Sequence, residues 1–313
     1  MATVPYKEKS TRGGKMHGAE TLDHVAFPVR DLPRAEKFYL ETVGLTFLTQ
    51  RKNADGSPRH TYVKAGENIV GLTLPGVSVA ASTSGAPRYA VAIANAEVFD
   101  AAVTRVRASG VQCGDVENHS AESPFVQAFQ FIDPDDNHME LCVRRRPLAE
   151  RDGISHVIFE TADLARAKRF YMEGLGLKLV GAVRGETLFE FANHQMLGVK
   201  EVAELSERTK KKGRACHVAF NVSQEDFDAM LEFIPKLEGK SLGDFRSSDG
   251  LRPPGERSIY FFDPDTNYLQ ITAAGKEDWS LMSDEEKWQR TIANRAKQGR
   301  GISSFDKGVK IQK

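Results

Sequence analysis

Residues 22–45 read LDHVAFPVRDLPRAEKFYLETVGL, and residues 154–177 read ISHVIFETADLARAKRFYMEGLGL. Laid side by side without gaps, the two stretches are identical at 12 of 24 positions. A second pair, FIDPDDNHMEL at 131–141 and FFDPDTNYLQI at 261–271, has nearly the same offset. Self-similarity at a fixed spacing indicates a duplication, and the repeated unit is about 130 residues long.

The duplication predicts two domains, residues 21–146 and 152–275, which join at a polar stretch of three arginines and a proline, 144–147. A polar N-terminal arm over residues 1–20 precedes them. Residues 276–313 lie outside the repeat. There, Ser283 and Glu286 have the spacing of a capping box and predict a C-terminal helical extension.

Each half is itself composite. His-Val-Ala-Phe at 24–27 recurs at 217–220, and we align Tyr-Ala-Val-Ala at 89–92 with it, so strands are predicted to open near 24, 89, 156 and 217. A helix follows each opening, and Asp31 and Asp163 are suited to cap two of them. Short alternating segments supply three or four strands per module. The sequence therefore predicts an α+β chain of four similar modules.

Composition excludes several classes of protein. The 313 residues carry 43 Lys and Arg against 43 Asp and Glu, so the basic surplus of a general nucleic-acid binder is missing. No apolar run approaches a membrane span, the first residues do not resemble a signal peptide, and three cysteines do not make a disulfide framework. We expect a cytoplasmic protein. Edge strands and the C-terminal extension are compatible with a homo-oligomer.

Histidines recur where the strands open. Because alternate residues of a strand share a face, His24, His156 and His217 are each expected on the face opposite the apolar, helix-packing side chains. Glu140 and Gln270 fall at equivalent places on later strands. Imidazoles and an oxygen donor that converge from neighbouring strands are the ligands that a mid-transition divalent metal needs if positions are to stay open for substrate.

Three motifs, His-Val-x-Phe, Asp-Leu-x-Arg-Ala-x-x-Phe-Tyr and Asp-Pro-Asp-x-Asn, together resemble the vicinal oxygen chelate superfamily. That superfamily includes glyoxalases, bleomycin-binding proteins, fosfomycin-modifying enzymes and extradiol dioxygenases. The resemblance covers about residues 20–275 and implies tandem βαβββ modules that form two half-open barrel domains around a metal. Four modules look most like the extradiol dioxygenases. A small catechol- or hydroquinone-like aromatic substrate, dioxygen, and Fe(II) or Mn(II) are implied.

Carried over from the extradiol pattern, the metal ligands would be His156, His217 and Gln270, with a glutamine where that pattern has glutamate. The first half offers His24 and Glu140 as an alternative site, with Tyr89 in place of the second imidazole. A pairing of modules one and four would instead give His24, His217 and Gln270. None of these sets contains two histidines and a carboxylate.

The resemblance also implies catalytic and substrate-binding residues. Tyr260 stands ten residues before Gln270, where the family has a tyrosine that binds a substrate hydroxyl, and His194 is the candidate acid/base. Arg252 and Arg257 are candidates to hold an anionic substrate. Two other functions stay open: a metal-free protein that binds a small molecule, and a glyoxalase- or isomerase-like lyase with Glu140 as its base.

Overall fold

The computed structural model describes residues 18–53, 55–74, 79–148, 153–211, 217–230, 257–273, 282–283, 286, 289–290 and 293. Strands dominate these ranges, and each module supplies one strand, then a helix, then further strands. The strands are β1 Thr21–Pro28, β2 Thr46–Lys52, β3 Pro58–Ala65, β4 Asn68–Thr73, β5 Arg88–Ala92, β6 Cys113–Asn118, β7 Phe125–Ile132, β8 His138–Arg144, β9 Gly153–Thr161, β10 Lys178–Val183, β11 Glu186–Glu190, β12 Met196–Glu201, β13 His217–Val222, β14 Arg257–Phe262 and β15 Tyr268–Ala273.

Four helices have defined bounds: α1 Leu32–Lys37, α2 Ala96–Ala108, α3 Leu164–Arg169 and α4 Glu207–Lys211, and residues 224–230 are also helical. The two predicted aspartate caps form, because the Asp31 carboxylate accepts from the backbone nitrogen of Arg34 and Asp163 does the same one repeat later. After α1 the helix widens to a π-helical turn that ends at Gly44, whose φ of 92° is in the left-handed region that favours glycine.

The strands form two sheets. One has seven strands in the order β14-β15-β13-β1-β4-β3-β2, and the other has eight in the order β10-β11-β12-β9-β5-β8-β7-β6. Modules one and four therefore build the seven-stranded sheet, and modules two and three build the eight-stranded sheet. Each sheet contains strands from both halves of the chain, so the two copies of the repeat are interleaved in space. The predicted α+β fold of βαβββ modules in two half-open sheets is confirmed.

The helices cover one face of each sheet. Val25 and Phe27 of β1 are fully buried there, and the Phe27 ring lies 5.4 Å from Tyr39 and 5.0 Å from Tyr89 of the other sheet. A single cluster of buried side chains thus joins both sheets and their helices. We call the opposite face of each curled sheet, which carries His24 or His156, its inner face.

The two aspartate-rich turns have the same structure in both halves. In the first, Asp133 accepts from the backbone nitrogens of Asp135 and Asn137, and so shapes the hairpin between β7 and β8. The Tyr39 hydroxyl donates to Asp133 over 2.6 Å, and Tyr171 donates to Asp263 over the same distance. Each tyrosine thereby ties the helix of one module to the hairpin of the next.

Near the C-terminus, the Ser283 backbone and hydroxyl donate to the Glu286 carboxylate, and the Glu286 nitrogen donates back to the Ser283 hydroxyl. These are the reciprocal bonds of a capping box. Among the described helices, none combines the length and the apolarity that crossing a bilayer requires.

Candidate metal centre

A row of four positions crosses the inner face of the seven-stranded sheet. In register across β14, β15, β13 and β1, it contains Tyr260, Gln270, Ala219 and His24. His217 lies two residues before Ala219 on the same strand and shares its face. Because Ala219 carries only a methyl group, the larger polar side chains around it can converge above it.

The rings of His24 and His217 meet edge to face, with their centroids 4.9 Å apart. Their Nε2 atoms are 2.8 Å apart. Two imidazole nitrogens that each lie ~2.1 Å from one ion are separated by ~3.0–3.4 Å, so a small opening of this pair suits a metal ion. The residues present therefore fit a shared divalent cation.

Gln270 stands in the same row, in register with Ala219 on one side and Tyr260 on the other. Its side chain is buried, and its Nε2 donates to the hydroxyl of Ser258. Within the described part of the chain, no donor reaches its Oε1, which is also buried. A buried polar atom without a partner costs about 1–3 kcal/mol, and a cation would satisfy it. The Gln270 oxygen is thus the third candidate ligand.

A β-bulge precedes His24. On β1 the register advances from Leu22 to His24 while β13 advances only from Phe220 to Ala219, so Asp23 is the extra residue. A bulge turns its extra side chain away from strict alternation. The Asp23 Oδ2 consequently lies 2.5 Å from Nδ1 of His24, on the side of the ring away from His217.

Aromatic and small side chains surround the candidate ligands. The Tyr260 ring lies 5.3 Å from the His217 ring and stacks on Tyr268 at 5.2 Å. On the other side of His217, the inner face carries Ala26 and Gly71 in register. A Cβ on Gly71 would come within 3.2 Å of the Ala26 Cβ, so a larger residue at position 71 would crowd this part of the inner face.

The eight-stranded sheet contains an equivalent row with different chemistry. There, Gln130, Glu140, Ala90 and His156 stand in register, in the places of Tyr260, Gln270, Ala219 and His24. The residue two before Ala90 is Arg88, which therefore corresponds to His217.

This register corrects the alignment made from sequence, which placed Tyr89 at the position of the second imidazole. The Tyr89 side chain lies on the opposite face, in the core against Phe27. Apolar similarity between the two strand openings shifted the alignment by one residue.

Arg88 is the centre of a buried ion network. Its Nε lies 2.9 Å from Oε2 of Glu140, and its Nη2 donates to both oxygens of Glu186 over 2.7 and 2.8 Å. Arg184 donates to Glu140 over 2.9 Å, and His156 Nε2 lies 3.3 Å from its other oxygen. Burial alone would raise the pKa of Glu140, but the charges of Arg88 and Arg184, together with the hydrogen bond from His156, outweigh it and hold that pKa well below its ordinary value.

Glu140, Cys142 and His156 place potential ligand atoms within 4.8 Å of one another. Burial, together with the charge of Glu140, raises the pKa of Cys142 to about 12, so its thiol stays protonated at neutral pH. The Arg88 guanidinium already lies against the carboxylate that a dication would need. Between the two sheets, the seven-stranded one is the better fit for a metal ion.

The structure divides the ligands proposed from sequence. His217, Gln270 and Tyr260 lie together, with His24 as their neighbour, whereas His156 belongs to the other sheet. For the same reason the alternative pair, His24 with Glu140, is divided between the sheets.

The remaining candidates have different outcomes. His194 lies in the turn between β11 and β12, with its Nδ1 3.1 Å from Glu190, and that turn belongs to the sheet without Tyr260. Arg252 lies outside the described residues. For Arg257 only the strand position, opposite Ala273, is described.

Sequence reasoning missed Asp23 and Arg88. Asp23 precedes His24 directly, and strict strand alternation assigns it to the other face. Arg88 precedes the segment that was aligned by its apolar residues. The segment 89–92 lacks the histidine expected at its start, and the arginine directly before it was the signal that could have identified the equivalent position.

Comparisons with known proteins agree with this architecture. A model of the Glyoxalase/Bleomycin resistance protein/Dioxygenase superfamily matches residues 21–141 and 153–271. Metallothiol transferase FosB of Lysinibacillus sphaericus (strain C3-41) is 28% identical over 125 residues, which are 40% of this chain and 84% of that protein.

Two solved structures share the fold over most of both chains. A Bacillus subtilis subsp. subtilis str. 168 protein, provisionally assigned as a dioxygenase, superposes with a TM-score of 0.65 and 17% identity over 95% of this chain and 98% of its own. Glyoxalase I from Zea mays superposes with a TM-score of 0.57 and 19% identity over 88% and 96%.

Proposed function

Because the chain belongs to the Glyoxalase/Bleomycin resistance protein/Dioxygenase superfamily, we propose that it is a divalent-metal-dependent enzyme whose ion is held by His24, His217 and Gln270. The observation that carries the proposal is the 2.8 Å approach of the two Nε2 atoms. In the same row of the sheet, Gln270 has a buried amide oxygen that no described donor satisfies. Two imidazoles and one oxygen are similar in type to the two-histidine, one-carboxylate set, which leaves positions open for substrate.

The reaction that we propose is extradiol-type cleavage of a catechol- or hydroquinone-like ring by dioxygen. When bound, Fe(II) or Mn(II) supplies a Lewis acid and carries electrons between an aromatic diol and dioxygen. The stacked rings of Tyr260 and Tyr268 beside His217 support a planar aromatic substrate, because aromatic faces pack well on one another.

Two side chains have distinct roles toward this substrate. The Tyr260 hydroxyl is the donor that orients a substrate oxygen next to Gln270, its partner in the register. Gln270 is neutral, so the three protein ligands bring no negative charge to a dication. An ionised diol is consequently a favoured partner, since it neutralises that charge.

A second candidate is metal-dependent transfer of a thiol, favoured by the 28% identity to metallothiol transferase FosB. An isomerase or glyoxalase reaction with Glu140 as base has less support. That carboxylate lies against Arg88 and Arg184, and the lowering of its pKa weakens it as a base.

The test uses the same substitution at equivalent positions of the two sheets. Metal-free protein is loaded anaerobically with Fe(II) or Mn(II), and bound metal and oxygen consumption are measured with a panel of catechols and hydroquinones. We expect the parent and His156→Gln to bind one ion and consume oxygen, and His24→Gln to do neither.

Other outcomes discriminate between the candidates. Bound metal with thiol consumption and no oxygen uptake would replace ring cleavage by thiol transfer. No bound metal at any concentration would leave a metal-free protein that binds a small molecule. Equal metal loss in both variants would contradict the assignment of the site to the seven-stranded sheet.

A further inference from the structure

The bulge that precedes each inner-face histidine occurs in both sheets with a different residue. In the eight-stranded sheet the register advances from Ile154 to His156 on β9 while β5 advances by one residue, so Ser155 is the extra residue there. The Ser155 hydroxyl lies 3.0 Å from Nδ1 of His156. The same backbone device thus presents a neutral hydroxyl to one histidine and the Asp23 carboxylate to the other.

The two sheets place their negative charge at different positions of the same framework. The eight-stranded sheet has a carboxylate, Glu140, in the row and a neutral Ser155 at the bulge. The seven-stranded sheet has a neutral Gln270 in the row and a carboxylate, Asp23, at the bulge. In each sheet, the row and the bulge residue together therefore contain one negative charge. In the seven-stranded sheet that charge lies at Nδ1 of His24.

The Asp23 carboxylate is held in place by its neighbours. Its Oδ2 faces His24, and its Oδ1 accepts from the Asn221 amide over 3.1 Å. The Asn221 carbonyl in turn accepts from the Thr272 hydroxyl over 2.8 Å. Three strands of the sheet therefore fix the carboxylate, which favours a defined orientation of the His24 ring.

We propose that Asp23 is a positioning residue for the metal site and supplies the negative charge that Gln270 lacks; this rests on the proposed metal site. An acceptor at Nδ1 places the ring proton there and leaves the lone pair of Nε2 directed toward His217 and the ion. A carboxylate in this position also fixes the orientation of the ring toward the ion. Loss of such a partner typically weakens metal affinity about 10- to 100-fold.

The experiment is a titration of the metal-free 313-residue chain with Mn(II), in which electron paramagnetic resonance measures the free ion. Asp23→Asn keeps the shape of the side chain, and Asp23→Ser copies the residue that the other bulge already contains. We expect both to weaken Mn(II) binding about 10- to 100-fold. Ser155→Ala, the matched control, should leave it unchanged.

Relocation of the charge provides the sharper readout. Gln270→Glu combined with Asp23→Ser reproduces the charge arrangement of the eight-stranded sheet, and we expect it to recover most of the affinity that Asp23→Ser loses. Nitrogen NMR of His24 in the metal-free protein should show Nδ1–H in the parent and a mixture of tautomers in Asp23→Ser.

The outcomes separate the two proposals. A parent that binds Mn(II) together with Asp23 variants that bind it equally well would contradict the role of Asp23 alone. A parent that binds no Mn(II) would contradict the metal site and, with it, this role. Thermal unfolding of each variant identifies any loss of binding that is due to misfolding, and recovery by Gln270→Glu would exclude that explanation.

Discussion

Arg88 and His217 occupy equivalent positions in the two sheets. Each lies two residues before an alanine, and that alanine is in register with Glu140 in one sheet and with Gln270 in the other. The same framework therefore carries an imidazole in one sheet and a guanidinium in the other. In the eight-stranded sheet the positive charge is built into the chain, whereas in the seven-stranded sheet we propose that it arrives with an ion. This difference leads to the first two predictions.

Arg88→His should create a second metal site, because Glu140 and His156 already stand where the row requires them. We expect the number of Zn(II) ions bound per chain to rise by one, measured by elemental analysis after dialysis. Arg88→Ala is the control, since it removes the guanidinium without adding a ligand, and it should gain no ion. An unchanged stoichiometry in Arg88→His would show that the equivalence of register does not extend to ligand geometry.

Arg88→Met should destabilise the protein by about 3–5 kcal/mol, because it leaves two buried carboxylates without their main partner. Urea denaturation measures the change in the free energy of unfolding. Lys37→Met removes an exposed ion pair with Glu41 at 3.9 Å and should cost less than about 1 kcal/mol. Similar costs for both variants would mean that the buried network adds little.

Stability should fall as the pH is lowered through 6.5. Burial lowers the pKa of His156 in the folded chain below its ordinary value of 6.5, so below that pH the unfolded chain binds a proton that the folded chain does not. The free energy of unfolding therefore decreases as the pH drops. Thermal midpoints of the parent and His156→Gln between pH 7.5 and 5.5 test this, and the variant should show the shallower decline. Parallel curves would exclude His156 as a source of the dependence.

Gln270→Glu should tighten binding of a divalent ion at least about tenfold, because it adds a negative charge next to the cation. Calorimetric titration with Mn(II) or Zn(II) provides the measurement. Gln130→Glu, which makes a similar change in the row of the other sheet, is the control and should not affect the parent site. Unchanged affinity in Gln270→Glu would indicate that this side chain does not face the ion.

The sequence repeat predicted the modules, the aspartate caps and the hairpins well, because these features depend on residues close together in the chain. The Asp31 cap and the turn at Asp133 each require only a few neighbouring residues. Which modules share a sheet was not determined by the repeat, since four similar strand openings can pair in several ways. His156 was consequently grouped with His217, although they lie in different sheets.

Details of the site depended on single-residue irregularities. The bulges at Asp23 and Ser155 break the alternation on which face assignments rest, and the alignment of Tyr89 differed from the true register by one residue. Neither irregularity has a local sequence signature, because both result from pairing with a distant strand. The structure was needed to identify Asp23 and Arg88.

Interleaving of the two halves has a consequence for synthesis on the ribosome. β1 is synthesised before its antiparallel partner β13, which follows only after about 190 further residues. At roughly 5–20 residues per second, the nascent chain holds that edge of β1 unpaired for roughly 10–40 seconds. An unpaired strand edge is a template for association with other chains, so co-translational protection of the N-terminal strand should decide how much protein reaches the native state.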